Sequence, residues 1–338
     1  MRNDTRVKFD AYMARQAELN GVTAATQKFA VAPTVEQKLE DRIRESADFL
    51  QQVNVVAVDQ QSGEKLGLGM SQPAAGRTDT SVKDREPRNL MAMDGRGYTA
   101  VQTNFDTFVK YQHLDAWAKF PDFQTRVRNQ VTKQIARDRL MIGWNGESAA
   151  ATTDLAANPL LQDVNVGWLK HIRTDAPARV MDGVKIGNAA GADYKSYDAA
   201  VFDAVNELLD EWHAEASDLV VIVGRQLLNE KYLGVLNSAD RPTEQIAVNT
   251  LMLSRTIGGK QAISVPYFPP RSILITAPDN LSIYWQTGTR RRMITDNPKR
   301  DRIEDFQSVN EAYVVEDLGK AALIDGIELP STEQDGWA

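Results

Sequence analysis

The eleven residues DLVVIVGRQLL (218–228) hold the most suggestive chemistry in the chain: an apolar run, one glycine, and then a helical pattern. A turn of this kind cradles phosphate when it carries more glycines. The dinucleotide fingerprint needs G-x-G-x-x-G so that the backbone can approach a pyrophosphate. Gly224 is instead followed by Arg225, Gln226, Leu227 and Leu228, and the sequence has no G-x-x-x-x-G-K-[ST] loop. A single glycine after a strand serves any strand-to-helix turn. GLGMSQPAAG (67–76) has the glycines but no helix start behind them to receive an anion. The three histidines, His113, His171 and His213, are not at metal-ligand spacing, so an HExxH hydrolase is excluded. With no cysteine there is no thiolate nucleophile, disulfide or thiolate-bound metal. The carboxylates form no calcium-loop pattern. No catalytic constellation emerges, and no cofactor or metal is expected.

Two groups of cations remain. Arg126, Arg128, Lys133, Arg137 and Arg139 lie along one helical pattern, either as a solvated face or as a surface turned to a polyanion. Arg290, Arg291, Arg292, Lys299, Arg300 and Arg302 form a second basic tract, either a solvated turn or partners for acidic side chains. The net charge of −7 argues against a general nucleic-acid binder. No apolar stretch approaches the roughly 20 residues of a membrane helix, and the charged N-terminus lacks the apolar core of a secretory signal. Three readings stay open: an enzyme using 218–228 as a cofactor turn, a binding module, and a structural protein.

The elements that would position these residues follow from periodicity. Residues 6–20 read as a helix stopped by Asn20-Gly21, and VTAATQKFAVAPT (22–34) as an exposed extended linker. Residues 1–29 hold five Lys/Arg against three Asp/Glu, so this piece carries +2 on an acidic chain. A second helix is predicted over 34–50, with Thr34 as N-cap and Val35, Leu39, Ile43 and Leu50 on its apolar side. Strands follow from 53, with a turn near Ser62-Gly63. Residues 71–97 form an irregular tip, and 98–111 a strand with Val101, Thr103, Phe105, Thr107, Val109 and Tyr111 on one face. The longest helix, 121–144, begins at Pro121, stops at Asn145-Gly146 and carries the stripe Phe123, Val127, Val131, Ile135, Ile142. Residues 150–195 look mostly irregular. A helix over 197–214 would place Val201, Val205, Leu208 and Trp212 on one side. Leu219–Val223 is apolar on both faces, as a covered central strand should be. The tryptophans 117, 144, 168, 212 and 285 read as core. ISVPYF, RSILITAPDN and most of 280–329 read as mainly antiparallel strands, and 331–338 as a frayed tail. The result is an α+β protein with protrusions that bury little of their own surface, which makes sense if neighbouring copies cover them.

RVKFDAYMARQAELNG, NPLLQDVNVGWLKHIRTDAPARVM, DLVVIVGRQLLNEKY, VPYFP and NLSIYWQTGTRRRMITDNPKRDRIEDFQSVNEAYVVED keep the order and spacing of a known family. Along nearly its whole length the chain resembles the major capsid protein of P2-like tailed bacteriophages. The resemblance implies the HK97-type capsid fold: an N-terminal segment 1–29 that is removed on maturation, an arm at 30–52, and an extended loop at 53–111. A peripheral domain at 112–194 would contain the spine helix 121–144, followed by an axial domain at 195–268 and a return to the peripheral sheet at 269–330. It implies self-assembly into pentamers and hexamers of an icosahedral shell around double-stranded DNA, formed in the host cytoplasm with scaffolding, protease and portal proteins as partners and no membrane. It also implies a processing junction near Phe29 and Ala30. The tract Arg290, Arg291, Arg292, Lys299, Arg300 and Arg302 would then pair with acidic residues of a neighbour, and Arg126, Lys133 and Arg137 would face the DNA.

Overall fold

The computed structural model describes residues 1–65, 75, 77–85, 97–120, 122–238, 255–330 and 337. Helix α1 (Asn3–Leu19) stops where Asn20-Gly21 predicts, with Gly21 at φ +63°. The chain then runs through a two-residue strand, β1 (Phe29–Ala30), into α2 (Pro33–Glu45). Helix α2 starts on Pro33, whose fixed φ suits the first helical position, so Thr34 is not the cap. It ends at Glu45 rather than at 50. Strands β2 (Asn54–Val58), β3 (Ser62–Glu64), β4 (Gly97–Thr99), β5 (Val101–Asn104) and β6 (Thr107–Lys110) follow. The expected single strand over 98–111 is therefore broken twice: at Ala100, whose N–H donates to the Gln61 carbonyl, and at Phe105-Asp106, where Phe105 N–H donates to the Gln307 carbonyl and Asp106 accepts from Gln307 N–H. The predicted alternation survives the breaks: Thr103 and Phe105 are buried, while Gln102, Asn104 and Lys110 are exposed. Most of the predicted irregular tip, and Pro121, lie outside the described residues.

Helix α3 (Tyr111–Trp117) was not signalled by the sequence; α4 (Phe123–Asn145) is the long predicted helix. The stretch expected to be irregular contains α5 (Trp168–Asp175) and β7 (Val180–Asp182). The helix expected over 197–214 is two, α6 (Tyr197–Leu208) and α7 (Glu211–Ala214), divided where Leu209 turns extended. That division carries Trp212 off the apolar side of α6, and it is 58% exposed rather than core. Strand β8 (Val220–Val223) and helix α8 (Arg225–Ser238) realise the strand–Gly–helix turn. The chain closes with β9 (Thr256–Ile257), β10 (Lys260–Ile263), β11 (Ile273–Thr276), β12 (Leu281–Gln286), β13 (Arg291–Asn297), β14 (Arg302–Val315) and β15 (Ala322–Asp325).

Strand β14 organises the first sheet. One of its edges takes β13 and then β12, and the other takes β6 and then β5. Strand β1 adds to the free edge of β13, and β2 runs parallel to β12. The second sheet has the order β7-β15-β11-β8-β10-β9. Both of its faces are covered, and side-chain alternation shows it. Ile222, Leu274 and Leu323 join the core beneath α4 and α5, while Val221, Val223, Ile273, Ile275, Ala322 and Ile324 join the core beneath α6. The division expected at 268/269 cuts through this sheet, because β11 and β15 pair with strands of it and do not return to the first sheet. Likewise β2, β5 and β6, expected within an extended excursion, are strands of the first sheet; the β3–β4 ladder is not hydrogen-bonded into it but packs on it through Tyr98 against Tyr284.

Trp144, Trp168 and Trp285 are buried, as expected, and Trp168 stacks edge-on against Trp144 and Tyr313. The identity of Gly224 has a packing cause. A Cβ there would lie 2.2 Å from the Pro270 carbonyl oxygen and 2.6 Å from that of Pro269. The glycine makes room for a neighbouring stretch of backbone. Replacing it with alanine, Gly224→Ala, should destabilise the folded chain by about 1–3 kcal/mol, the usual cost of overpacking. The urea unfolding midpoint measures this, and an unchanged midpoint would show that the backbone can give way.

Candidate functional site

The densest set of ionisable groups is buried where α2 crosses α4 and β14. Glu36 and Glu40 are one turn apart on α2 and face inward together. Arg139 of α4 meets them. Its Nη1 and Nη2 donate to the two oxygens of Glu40 at 2.7 and 3.0 Å, and its Nε and Nη2 donate to Glu311 Oε1 at 3.1 and 2.5 Å. Arg290, just before β13, donates from Nη2 to Glu40, and its Nε lies 3.8 Å from Glu36 Oε1. Glu36 also accepts from Gly288 N–H at 3.2 Å. Arg139, Arg290, Glu36 and Glu311 are each at most 1% exposed.

Such burial opposes every charge, so geometry decides which groups stay ionised. For Glu40, burial is outweighed by attraction to Arg139 and Arg290 and by their hydrogen bonds, and its carboxyl is held below the usual range. Arg139 is held well above the ordinary arginine range because Glu311 and Glu40 together overcome its own desolvation. Glu36 goes the other way. Burial raises it, and the Gly288 N–H and the distant Arg290 do not fully compensate.

A second assembly of contacts fastens the N-terminal segment to the sheet edge. Phe9 and Tyr12 of α1 pack with Tyr111, Leu114, Ile294 and Ile303. Arg292 of β13 grips Asp305 with Nε and Nη2 at 2.9 and 2.7 Å, and reaches Gln16 Oε1 and the Tyr12 hydroxyl at 2.9 Å each. Its guanidinium is held above the ordinary range: burial disfavours the charge, but Tyr12 and Asp305 outweigh it. Arg6 pairs with Asp296 at 3.0 Å. Tyr111 donates to the same carboxylate, and burial together with that bond pushes its phenol up to about 12. Strand β1 lies along β13 with Phe29 opposite Arg292 and Ala30 opposite Arg291. These are joints between parts of one chain. Among the described residues no three metal-ligating side chains gather, and no helix is long and apolar enough to cross a membrane.

A chain whose ionisable groups are spent on such joints matches known proteins closely. The model of the family described as phage major capsid protein, P2 family, matches residues 8–327. The chain belongs to that family. It is 43% identical to the capsid proteins of Escherichia phage P2 over 97% of this chain and 96% of the relative. It is 40% identical to the major capsid protein of Serratia phage KSP20, over 99% and 100%. Among solved structures, a chain of the satellite phage P4 procapsid that includes the size determination (Sid) protein superposes with a TM-score of 0.81. That match has 41% identity and covers 97% of this chain and 99% of the other. The capsid of an empty GTA particle, at 14% identity and TM-score 0.50, shares the fold. The α+β architecture is thus that of the HK97-type capsid proteins.

In this capsid chain the predicted site residues separate. Arg290 is buried with Glu40, Arg292 is committed to Asp305 and α1, and Arg302 pairs with Glu304 at 2.6 Å and lies over the Phe108 ring. These three are internal, which corrects their assignment to a neighbour; alternation along β13 and the turn after it leaves Arg291, Lys299 and Arg300 exposed. Arg126, Lys133 and Arg137 are exposed on α4, with Arg126 engaged by Asp122 and the Phe120 ring. Arg139, grouped with them by sequence, points the opposite way into the cluster. Phe29 and Ala30 are extended as expected, but Phe29 is buried in a paired strand and not in an exposed linker. Two of the histidines sit beside a carboxylate, His171 by Asp175 and His213 by Asp317.

The opposite displacements of Glu36 and Glu40 give opposite pH dependences. Glu40, lowered in the fold, contributes stability that is present above the unfolded carboxylate pKa and lost as pH falls through its folded value. Glu36, raised, contributes fully below the unfolded value and loses that contribution as pH rises through its folded one. Glu40→Gln should therefore cost about 3–5 kcal/mol near neutral pH, as for any broken buried pair. Glu36→Gln should be neutral or stabilising there, and its advantage should vanish in acid. Denaturant titrations of both variants across pH 3–8 measure the two slopes.

Proposed function

We propose that many copies of this chain associate into pentamers and hexamers that close as an icosahedral shell around double-stranded DNA, and that an N-terminal segment is removed near Phe29 and Ala30 during maturation. The observation that carries this reading is the near-complete superposition on a procapsid chain at 41% identity. In this reading the first sheet with α4 forms the peripheral domain, and the second sheet with α6 and α8 forms the axial domain. Residues 30–52 form the arm, and the β3–β4 ladder belongs to the extended loop. Weak contacts made by several such extensions at once add up to a stable shell.

Within the basic tract, Arg291, Lys299 and Arg300 are the exposed cations, placed to meet acidic side chains of a neighbouring copy, where charge sets register more than affinity. The exposed Lys133 and Arg137, with Arg126, face packaged DNA and contact phosphate without sequence preference. Scaffolding, protease and portal proteins are partners in the same reading. So is a protein that sets shell size, since the P4 relative was solved with one. The cofactor-turn reading of 218–228 is the weaker one, because the glycine at 224 has a packing cause: the carbonyls of Pro269 and Pro270 occupy the space a side chain would take.

Size-exclusion chromatography and electron microscopy of the expressed chain test the assembly, with capsomers or shells expected and a monomer at high concentration rejecting it. Arg291→Glu should reduce particle yield by an order of magnitude while the isolated subunit keeps its wild-type melting curve. Full particle yield would remove Arg291 from the interface. Lys133→Gln with Arg137→Gln should leave shell formation intact and speed the salt-induced or heat-induced release of DNA from filled particles. An unchanged release curve would make these ordinary surface residues.

A further inference from the structure

The Phe29–Ala30 bond cannot be cut where it lies. A protease takes its substrate as an extended strand whose backbone edge and side chains are free to enter the cleft. Here that edge is already used: Phe29 and Ala30 pair with Arg292 and Arg291, and Val31 N–H donates to the Arg290 carbonyl at 2.9 Å. The Phe29 side chain is 7% exposed, packed with Ala25 and Val31. One residue holds both ends of the segment. Arg292 pairs through its main chain with Phe29 and through its guanidinium with Tyr12 and Gln16 of α1, while Asp305 fixes that guanidinium from the other side. Between these points the Ala25 carbonyl accepts from Ile294 N–H at 2.9 Å.

We propose that residues 1–31 are a latch on the β13 edge, that Arg292 is its catch, and that the Phe29–Ala30 bond becomes cleavable only when α1 and β1 lift together. The proposal rests on the reading that the chain is processed there, and concerns what controls that step. Because the two anchors share Arg292, loosening α1 loosens β1, so groups on α1 set the accessibility of a bond ten or more residues away. Cutting then follows the small open population and not the intrinsic susceptibility of the sequence.

The test uses the purified full-length chain and a chymotrypsin-type protease, which cuts after aromatic residues, with release of the peptide 1–29 timed by mass spectrometry. Tyr12→Phe keeps the ring and removes one hydrogen bond to Arg292; Arg292→Gln removes the catch. Release should be several-fold faster in the first and about tenfold or more faster in the second, with a matching rise in hydrogen exchange at the Val31 amide. The chain has no cysteine, so Arg6→Cys with Asp296→Cys can be bridged by a short thiol crosslinker; the bridge keeps peptide 1–29 attached after the cut, so here cleavage is read from the new Ala30 N-terminus, whose appearance should slow when bridged and recover in the unbridged variant. If Arg292→Gln does not fold, Tyr12→Phe and the bridge decide. Equal rates in Tyr12→Phe, the bridged chain and wild type would overturn the latch. The mass of subunits from mature particles separately tests the processing reading: intact chains there would reject it while leaving the latch kinetics to stand or fall alone.

Discussion

The way α2 and α4 sit on the first sheet depends on one guanidinium. Arg139 reaches from α4 into the angle between α2 and β14 and binds a carboxylate from each. Glu311 sits where β14 carries β12 on one edge and β5 on the other, and its carbonyl accepts from the buried Asn165 side chain at 2.9 Å. The knot therefore fixes a helix, a sheet and the loop behind them at one point. Its cost is real, since each buried ion loses several kcal/mol of hydration. Apolar side chains of equal volume would fill the space. What the charges add is register: Glu36 and Glu40 are one turn apart, so sliding α2 by a turn would leave a buried carboxylate without a cation.

The signal for this knot lies in the sequence as charges standing where an apolar stripe should continue. Glu36, Glu40 and Ile43 follow i, i+4, i+7 spacing, and so do Ile135, Arg139 and Ile142. In each case a charge stands within an apolar stripe. A charge in that position is either an error of phase or a buried partner, and two helices with complementary charges in such stripes indicate the latter. The strands were easier. DLVVIVG and SILIT are apolar on both faces, and a two-sided sheet must bury both. The helices α3 and α5 were missed because they are short, and most of their stability comes from packing, as Trp168 against Gly143 shows. The partners of Arg290, Arg292 and Arg302 were out of reach for a different reason. Alternation in a strand tells which side a residue faces, but not what lies there. Arg292 finds Tyr12 and Gln16 across nearly the whole length of the chain.

The N-terminal segment shows how a stretch of mostly small residues acquires a fixed position. VTAATQKFAVAPT has one large apolar side chain, Phe29, and taken alone it reads as linker. Its Ala25, Phe29 and Val31 nevertheless bury against one another because β13 offers an unpaired edge, and an unpaired edge attracts any extended chain nearby. The same pairing that orders the segment also covers that edge, so one feature serves both the segment and the sheet.

The two sheets are threaded through each other along the chain. The backbone leaves the first sheet after β6, builds β7 to β11 in the second, returns for β12 to β14, and crosses once more to insert β15 between β7 and β11. A tile in a closed shell is pulled in its own plane. With three covalent crossings between its two sheets, pulling them apart would have to work against the backbone at three places. The tile resists stretching as a stitched fabric does, where two separately folded halves would part along their seam.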